Sequence, residues 1–227
     1  MRLLGLCGLA FVVGLSGAMM PGPLLAVTIA QSAKIGFSAA LFIVLGHAIL
    51  EFALVVAVVS GLGRMLRAPV ITRAIGVIGG AVLLLLAQGM IHAALSSMGT
   101  LPWETSSQHH APTVSAFSLV GMGIWVSLSN PYWVLWWATV GMTFLTRALS
   151  YGWIGPAAFA FGHVSSDAIW YLAIGIVVVF GRKWMTAPIY NGVILLCALF
   201  LIGLGMYFLL GGLAPQLFTR SRRQAKT

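Results

Sequence analysis

Two histidines and two acids stand in one short phrase that this chain writes twice. The chain holds only three acidic residues and five histidines in all. Gly46-His47-Ala48-Ile49-Leu50-Glu51 recurs 116 positions later as Gly162-His163-Val164-Ser165-Ser166-Asp167. In each copy the histidine precedes the acid by four residues, which puts both on one face of a helix. Both copies lie inside long apolar stretches, where an ionised carboxylate is costly and marks a functional site by default. Such a group exchanges a proton with either side, or holds an ammonium or metal cation. Histidine titrates near physiological pH and can relay that proton or tune its neighbour. The structural alternative is a pair of intrahelical His–acid contacts that lock an interface. A third arrangement joins two imidazoles and two carboxylates as a ligand set for zinc, cobalt or nickel.

The elements that position these residues are membrane helices. With 60% hydrophobic and 7% charged residues, the chain is not a soluble globular domain. Apolar segments run over about 3–33, 37–60, 70–98, 113–146, 152–180 and 190–214. Each exceeds the roughly 20 residues that a helix needs to cross hydrocarbon. The net charge of +9 is distributed as a topology signal rather than as a nucleic-acid surface. If all six segments span, Arg2, Arg64, Arg67, Arg73, Arg147, Arg220, Arg222, Arg223 and Lys226 share one side, against Lys34, Arg182 and Lys183 on the other. The positive-inside rule then places both termini in the cytoplasm, with the tail at 215–227 held by anionic headgroups. Residues 1–18 have the charge and apolar run of a signal peptide. The stretch continues apolar through Ala33 and has a counterpart in the second half, so it is expected to belong to the fold. Cys7 and Cys197 form no CxxC pair and are expected to be packing residues.

The 116-residue offset matches more than the opening phrase: Gly36 with Gly152, Gly76-Val77-Ile78 with Gly192-Val193-Ile194, and Gly89-Met90 with Gly205-Met206. Each half holds three apolar segments, and an odd number of spans makes the second half enter from the opposite side. Residues 1–98 and 113–214 are therefore expected to be inverted three-helix repeats, an architecture of secondary transporters. The connection at 99–112 carries Glu104, His109 and His110 and reads as an outside loop of solvated side chains. In each half the first segment is too long for one span and is interrupted, at Pro21-Gly22-Pro23 and at Ser129-Asn130-Pro131. Proline removes a donor and clashes with the preceding turn. The freed backbone groups must face protein or a watery cavity, and paired interruptions point to a transporter's binding site. A half-helix starting near Pro21-Gly22-Pro23 would present N–H groups to a carboxylate. Tyr132, Trp133, Trp136 and Trp137 could pack on an ammonium, yet at least two of the four are expected in the interfacial belt. Ser165, Ser166, Thr28 and Gln31 are further polar candidates.

The chain resembles the lysine-exporter (LysE/RhtB-type) translocator family almost from end to end. The resemblance rests on Pro21-Gly22-Pro23, on Gly36 and then Gly46 with its nearby acid, on Asn130-Pro131, and on Gly162, Asp167 and Trp170-Tyr171. It implies export of amino acids or related small metabolites from the bacterial cytoplasm, coupled to a proton or cation gradient. Glu51 stands where that family more often has Asp, and the two histidines are not part of its pattern.

These readings converge on an all-α integral membrane protein of six helices, the first and fourth broken. The expected function is secondary active export by proton antiport and alternating access, with no cofactor and no enzyme activity. The expected site combines Glu51, Asp167, His47, His163, Pro21, Gly22, Pro23, Asn130 and Pro131. Its partners are a small zwitterionic or cationic substrate, protons and the lipid bilayer of a bacterial inner membrane. Homo-oligomerisation stays open, and nucleic acid is excluded. The rival readings are a divalent-metal exporter that binds through His47, Glu51, His163 and Asp167, and an intramembrane metal enzyme built on the same four residues.

Overall fold

The computed structural model describes residues 3–62, 68–96, 101 and 114–213. The loop around Glu104, His109 and His110, the basic tail, and Arg2, Arg64 and Arg67 lie outside the described residues. Among the described residues every regular element is helical. In chain order these are α1 (Leu3–Ala18), α2 (Pro23–Ile35), α3 (Phe37–Ala57), α4 (Pro69–Ser96), α5 (Ala116–Leu128), α6 (Pro131–Trp136), α7 (Met142–Ala148), α8 (Ile154–Gly181) and α9 (Ala187–Leu213). A π-helical turn, Val58–Leu62, extends α3, and another, Trp137–Gly141, joins α6 to α7.

Among the described residues four helical stretches are long and apolar enough to cross a bilayer: Phe37–Gly61, Pro69–Ser96, Ile154–Trp184 and Ala187–Leu213. The pair α1 and α2 meets the same test together, bent by 77° at its break. That makes four to five spans by length and composition. The broken segment α5–α7 occupies the place of the fourth expected span, and its first piece has 13 residues.

Proline explains where the two breaks restart. Pro23 opens α2 and Pro131 opens α6, the position where a missing N–H costs nothing. Each broken segment ends at a glycine in a backbone region that side chains rarely adopt, Gly36 at φ 98° and Gly152 at φ 65°. The two stand 116 positions apart, so the repeat found in the letters is also a repeat of backbone geometry.

Packing follows the same exchange. Helix α1 lies along α8 and α3 lies along α5, while α3 meets α8 and α4 meets α9. Exchanging the halves turns the first pairing into the second and leaves the others unchanged. The phrase glycines make the close crossings: Gly46 sits against the backbone of Val120 on α5, and Gly162 against that of Cys7 on α1. A side chain at Gly162 would also meet the Ala10 Cβ at 3.1 Å. Small residues at such crossings let helices approach in lipid, where apolar burial against water no longer drives association. Cys197 is buried and Cys7 half-buried, both as free thiols. Large apolar side chains such as Val12, Ile78, Phe161 and Leu196 are exposed on the outside, a surface suited to acyl chains.

Candidate functional site

Glu51 lies one turn beyond His47 on α3 and is 1% exposed. Its Oε1 accepts from the indole N–H of Trp133 at 3.1 Å and of Trp137 at 3.2 Å. His163 Nε2 approaches the same oxygen at 3.0 Å. Three N–H groups converging on one oxygen suit a carboxylate, because bonds to a charged acceptor are the strong ones. All three donors come from the second half of the chain. Glu51 is therefore held across the interface between halves, not within its own phrase.

The donor pattern also assigns the tautomer of His47. Its Nδ1 lies 2.7 Å from Ser127 Oγ, and that oxygen lies 2.7 Å from the Gly123 carbonyl. A hydroxyl has one proton, and the carbonyl takes it, so His47 Nδ1–H donates to Ser127. His47 Nε2 then faces Glu51 Oε1 at 3.4 Å. When the ring is neutral these are two acceptors face to face, and a proton on Nε2 turns the contact into an ion pair.

His163 does different work. Its ring stacks on Trp136, with centroids 4.6 Å apart and planes 18° apart, and lies parallel to Phe159 at 6.1 Å. Trp137 meets it edge-on at 5.0 Å. Clamped in this plane, Nε2 lies 3.0 Å from Glu51 Oε1 and 3.5 Å from Asp167 Oδ2, so one imidazole edge addresses both acids. Asp167 is 4% exposed. Its Oδ2, like Glu51 Oε2 and His163 Nδ1, is buried without a hydrogen-bond partner among the described residues. A buried group left in that condition costs roughly 1–3 kcal/mol or more, and a ligand or a proton relieves it.

These groups line a cavity of about 40 Å³, room for a few waters at roughly 10–15 Å³ each. Pro21 and Gly22 of the first break and Asn130 of the second border it, as do Phe200 and Leu204 of α9. A Cβ placed on Gly22 would lie 3.5 Å from Asn130 Nδ2, so the two breaks are neighbours. Asn130 Oδ1 caps α6 by accepting from Tyr132 N at 3.1 Å.

Seven of the nine expected site residues border this cavity. Pro23 and Pro131 do not; they are buried and start the half-helices behind it. Placing two or more of the four aromatics in an interfacial belt requires correction. Trp133, Trp136 and Trp137 are all buried, two of them because Glu51 supplies the acceptor that an indole N–H otherwise finds at the headgroups. Tyr132 borders the cavity. The hydroxyls of Ser165 and Ser166 are not aimed at the site and donate to the carbonyls of Phe161 and His163, both at 2.6 Å. Thr28 is fully buried, with no hydrogen-bond partner for its Oγ1 among the described residues. Sequence reasoning missed Ser127, whose only signal is a hydroxyl amid apolar residues just before the break. It also missed the cavity walls from α9, which read as anonymous apolar positions.

One ligand atom each from His47, Glu51 and Asp167 lie within 4.8 Å of one another, a spacing that also admits a metal ion.

A family model, the LysE type translocator, matches residues 15–212. The chain belongs to that translocator family. It is a multi-pass membrane protein of a class that exports amino acids or related compounds, and the family's members are transporters rather than enzymes. No curated protein matched the chain. No solved structure matched it either.

Proposed function

We propose that this translocator is a proton-coupled exporter of zwitterionic amino acids that works by alternating access between two inverted halves in a bacterial inner membrane. The observation that carries the reading is the bond from His163 of the second half to Glu51 of the first, beside an unpartnered Asp167 oxygen and between two helix breaks. A substrate ammonium takes the place of a proton between the acids. Its carboxylate meets the freed N–H groups of a half-helix, where the helix dipole favours negative charge. Protonation of the acids releases the ammonium and resets the cycle. Because Glu51 is held by donors of the opposite half, rocking one half against the other must remake those bonds. The distribution of basic residues supports cytoplasmic termini.

Asp167→Asn in purified protein reconstituted into liposomes tests this function. Efflux of amino acid driven by a pH gradient is expected to vanish while the melting temperature holds. Wild-type efflux in that variant would remove Asp167 from the mechanism. Metal export is supported by the spacing of His47, Glu51 and Asp167. Stabilisation of the protein against heat by zinc, with none by any amino acid, would favour metal export over proton-coupled export of amino acids.

A further inference from the structure

The cavity has three walls of different chemistry, and together they select one class of substrate within the proposed function. The first wall is the acid pair. Ligand atoms of Glu51 and Asp167 lie within 4.8 Å of each other, so the two carboxylates serve one cationic centre and not two separated ones. Oxygens Glu51 Oε2 and Asp167 Oδ2 are buried with no hydrogen-bond partner among the described residues, acceptors that suit a donor-rich cation such as an ammonium.

The second wall is the start of α2, and here the two breaks differ. Helix α6 is capped by the Asn130 side chain. Helix α2 begins after Gly22, which has no side chain, and among the described residues it has no side-chain cap bond. Pro23 has no N–H, and the first intrahelical bond runs from Ala26 N to the Gly22 carbonyl. That leaves the N–H groups of Leu24 and Leu25 without helical acceptors. Asn130 Nδ2 stands beside Gly22 and adds a third donor. An anion has a place at α2 and none at α6.

The third wall is apolar. Met20, Leu24, Phe200 and Leu204 border the cavity, and among the described residues no Lys, Arg, Asp or Glu other than Glu51 and Asp167 does so. A lysine or arginine side chain would add a second cation to a lining whose only carboxylates among the described residues already serve the first. An acidic side chain would bring a second anion beside the acid pair. Either burial of an unpaired charge is costly.

We propose that the substrate is a neutral α-amino acid with an apolar side chain. Its ammonium sits at Glu51 and Asp167, its carboxylate at the uncapped start of α2, and its side chain on Phe200 and Leu204. This rests on the function proposed above and narrows it. The test loads liposomes containing the wild-type protein with labelled leucine, lysine or glutamate under the same pH gradient. Leucine efflux is expected to exceed that of lysine and glutamate by about tenfold or more, the discrimination that an apolar pocket supplies. Leu204→Asp, which adds a carboxylate to the apolar wall, is expected to raise lysine efflux relative to leucine. Stabilisation of wild-type protein against heat by leucine but not by lysine gives the same reading without a variant. Efflux of lysine or glutamate at or above the leucine rate overturns the inference and leaves the exporter reading standing. Efflux of none of the three overturns both.

Discussion

The two copies of the Gly-His-x-x-x-acid phrase occupy equivalent places in the fold and carry unequal chemistry. Gly46 and Gly162 do the same job, each resting on the backbone of the opposite half's first helix. The side chains diverge. Glu51 is saturated at Oε1 by two indoles and one imidazole, whereas Asp167 Oδ2 faces His163 at a looser 3.5 Å. His47 is tied to Ser127, while His163 is clamped between Trp136 and Phe159 and spans both acids. The duplicated scaffold thus supplies matched helix crossings, and local partners hold Glu51 more tightly than Asp167. In the proposed function, Glu51 is the anchored charge that joins the halves, and Asp167 is the acid that contributes most to proton uptake and release.

Neutralising the acids gives the largest expected contrast. Asp167→Asn should lower efflux by about 100-fold or more, the scale of losing an essential proton-transfer group, with little change in thermal stability. Glu51→Ala should lose efflux as fully and also destabilise the fold by roughly 3–5 kcal/mol, as when one partner of a buried ionic network is removed. Melting curves in detergent separate the two, and equal destabilisation would erase the proposed division of labour. Next come the crossings. Gly46→Val and Gly162→Val should each cost about 1–3 kcal/mol or more through overpacking against backbone, read as loss of folded protein in detergent. A large effect at one glycine and none at the other would break the symmetry of the scaffold itself.

Smaller effects probe the partners. Ser127→Ala removes the acceptor that orients His47 and should cost about 1 kcal/mol. It should also shift the pH dependence of efflux, since His47 can then turn its other nitrogen to Glu51. The corresponding change around His163, Ser166→Ala, should leave that profile in place, because Ser166 donates to a backbone carbonyl and not to the ring. For transport the smallest effect is expected from Gly36→Ala and Gly152→Ala, each costing roughly 1–3 kcal/mol of stability at a backbone conformation reserved for glycine with transport retained. Similar losses at the two positions support equivalent turns.

Much of this arrangement is legible in the residues. His47, Glu51, His163 and Asp167 stand out because polar groups are rare in hydrocarbon, and the breaks at Pro21-Gly22-Pro23 and Asn130-Pro131 stand out because proline removes a donor. Gly36 and Gly152 are legible through the repeat. What spacing within a helix does not reveal is partnership across helices. The i, i+4 rule pairs His163 with Asp167, yet in three dimensions its shorter contact is to Glu51, 112 positions away. The tryptophans after Asn130 carry the composition of a membrane belt, and only the location of an acceptor, Glu51 Oε1, draws two of their N–H groups inside. Phe200 and Leu204 carry no local signal, since a cavity wall and a lipid-facing surface are written with the same apolar residues.

Glu51 and Asp167, from opposite halves, are proposed to form one proton-coupled substrate site. The most direct test is counterflow and pH-driven efflux of a neutral amino acid, measured side by side in liposomes holding wild type, Glu51→Gln or Asp167→Asn. Both variants must first show wild-type melting behaviour, so that loss of flux reports the site. A shared site predicts pH-driven efflux in the wild type and none in either variant. Asp167→Asn should retain some counterflow, because exchange without net proton movement does not require a titrating acid. Efflux driven by pH at the wild-type rate in either variant would contradict a shared site.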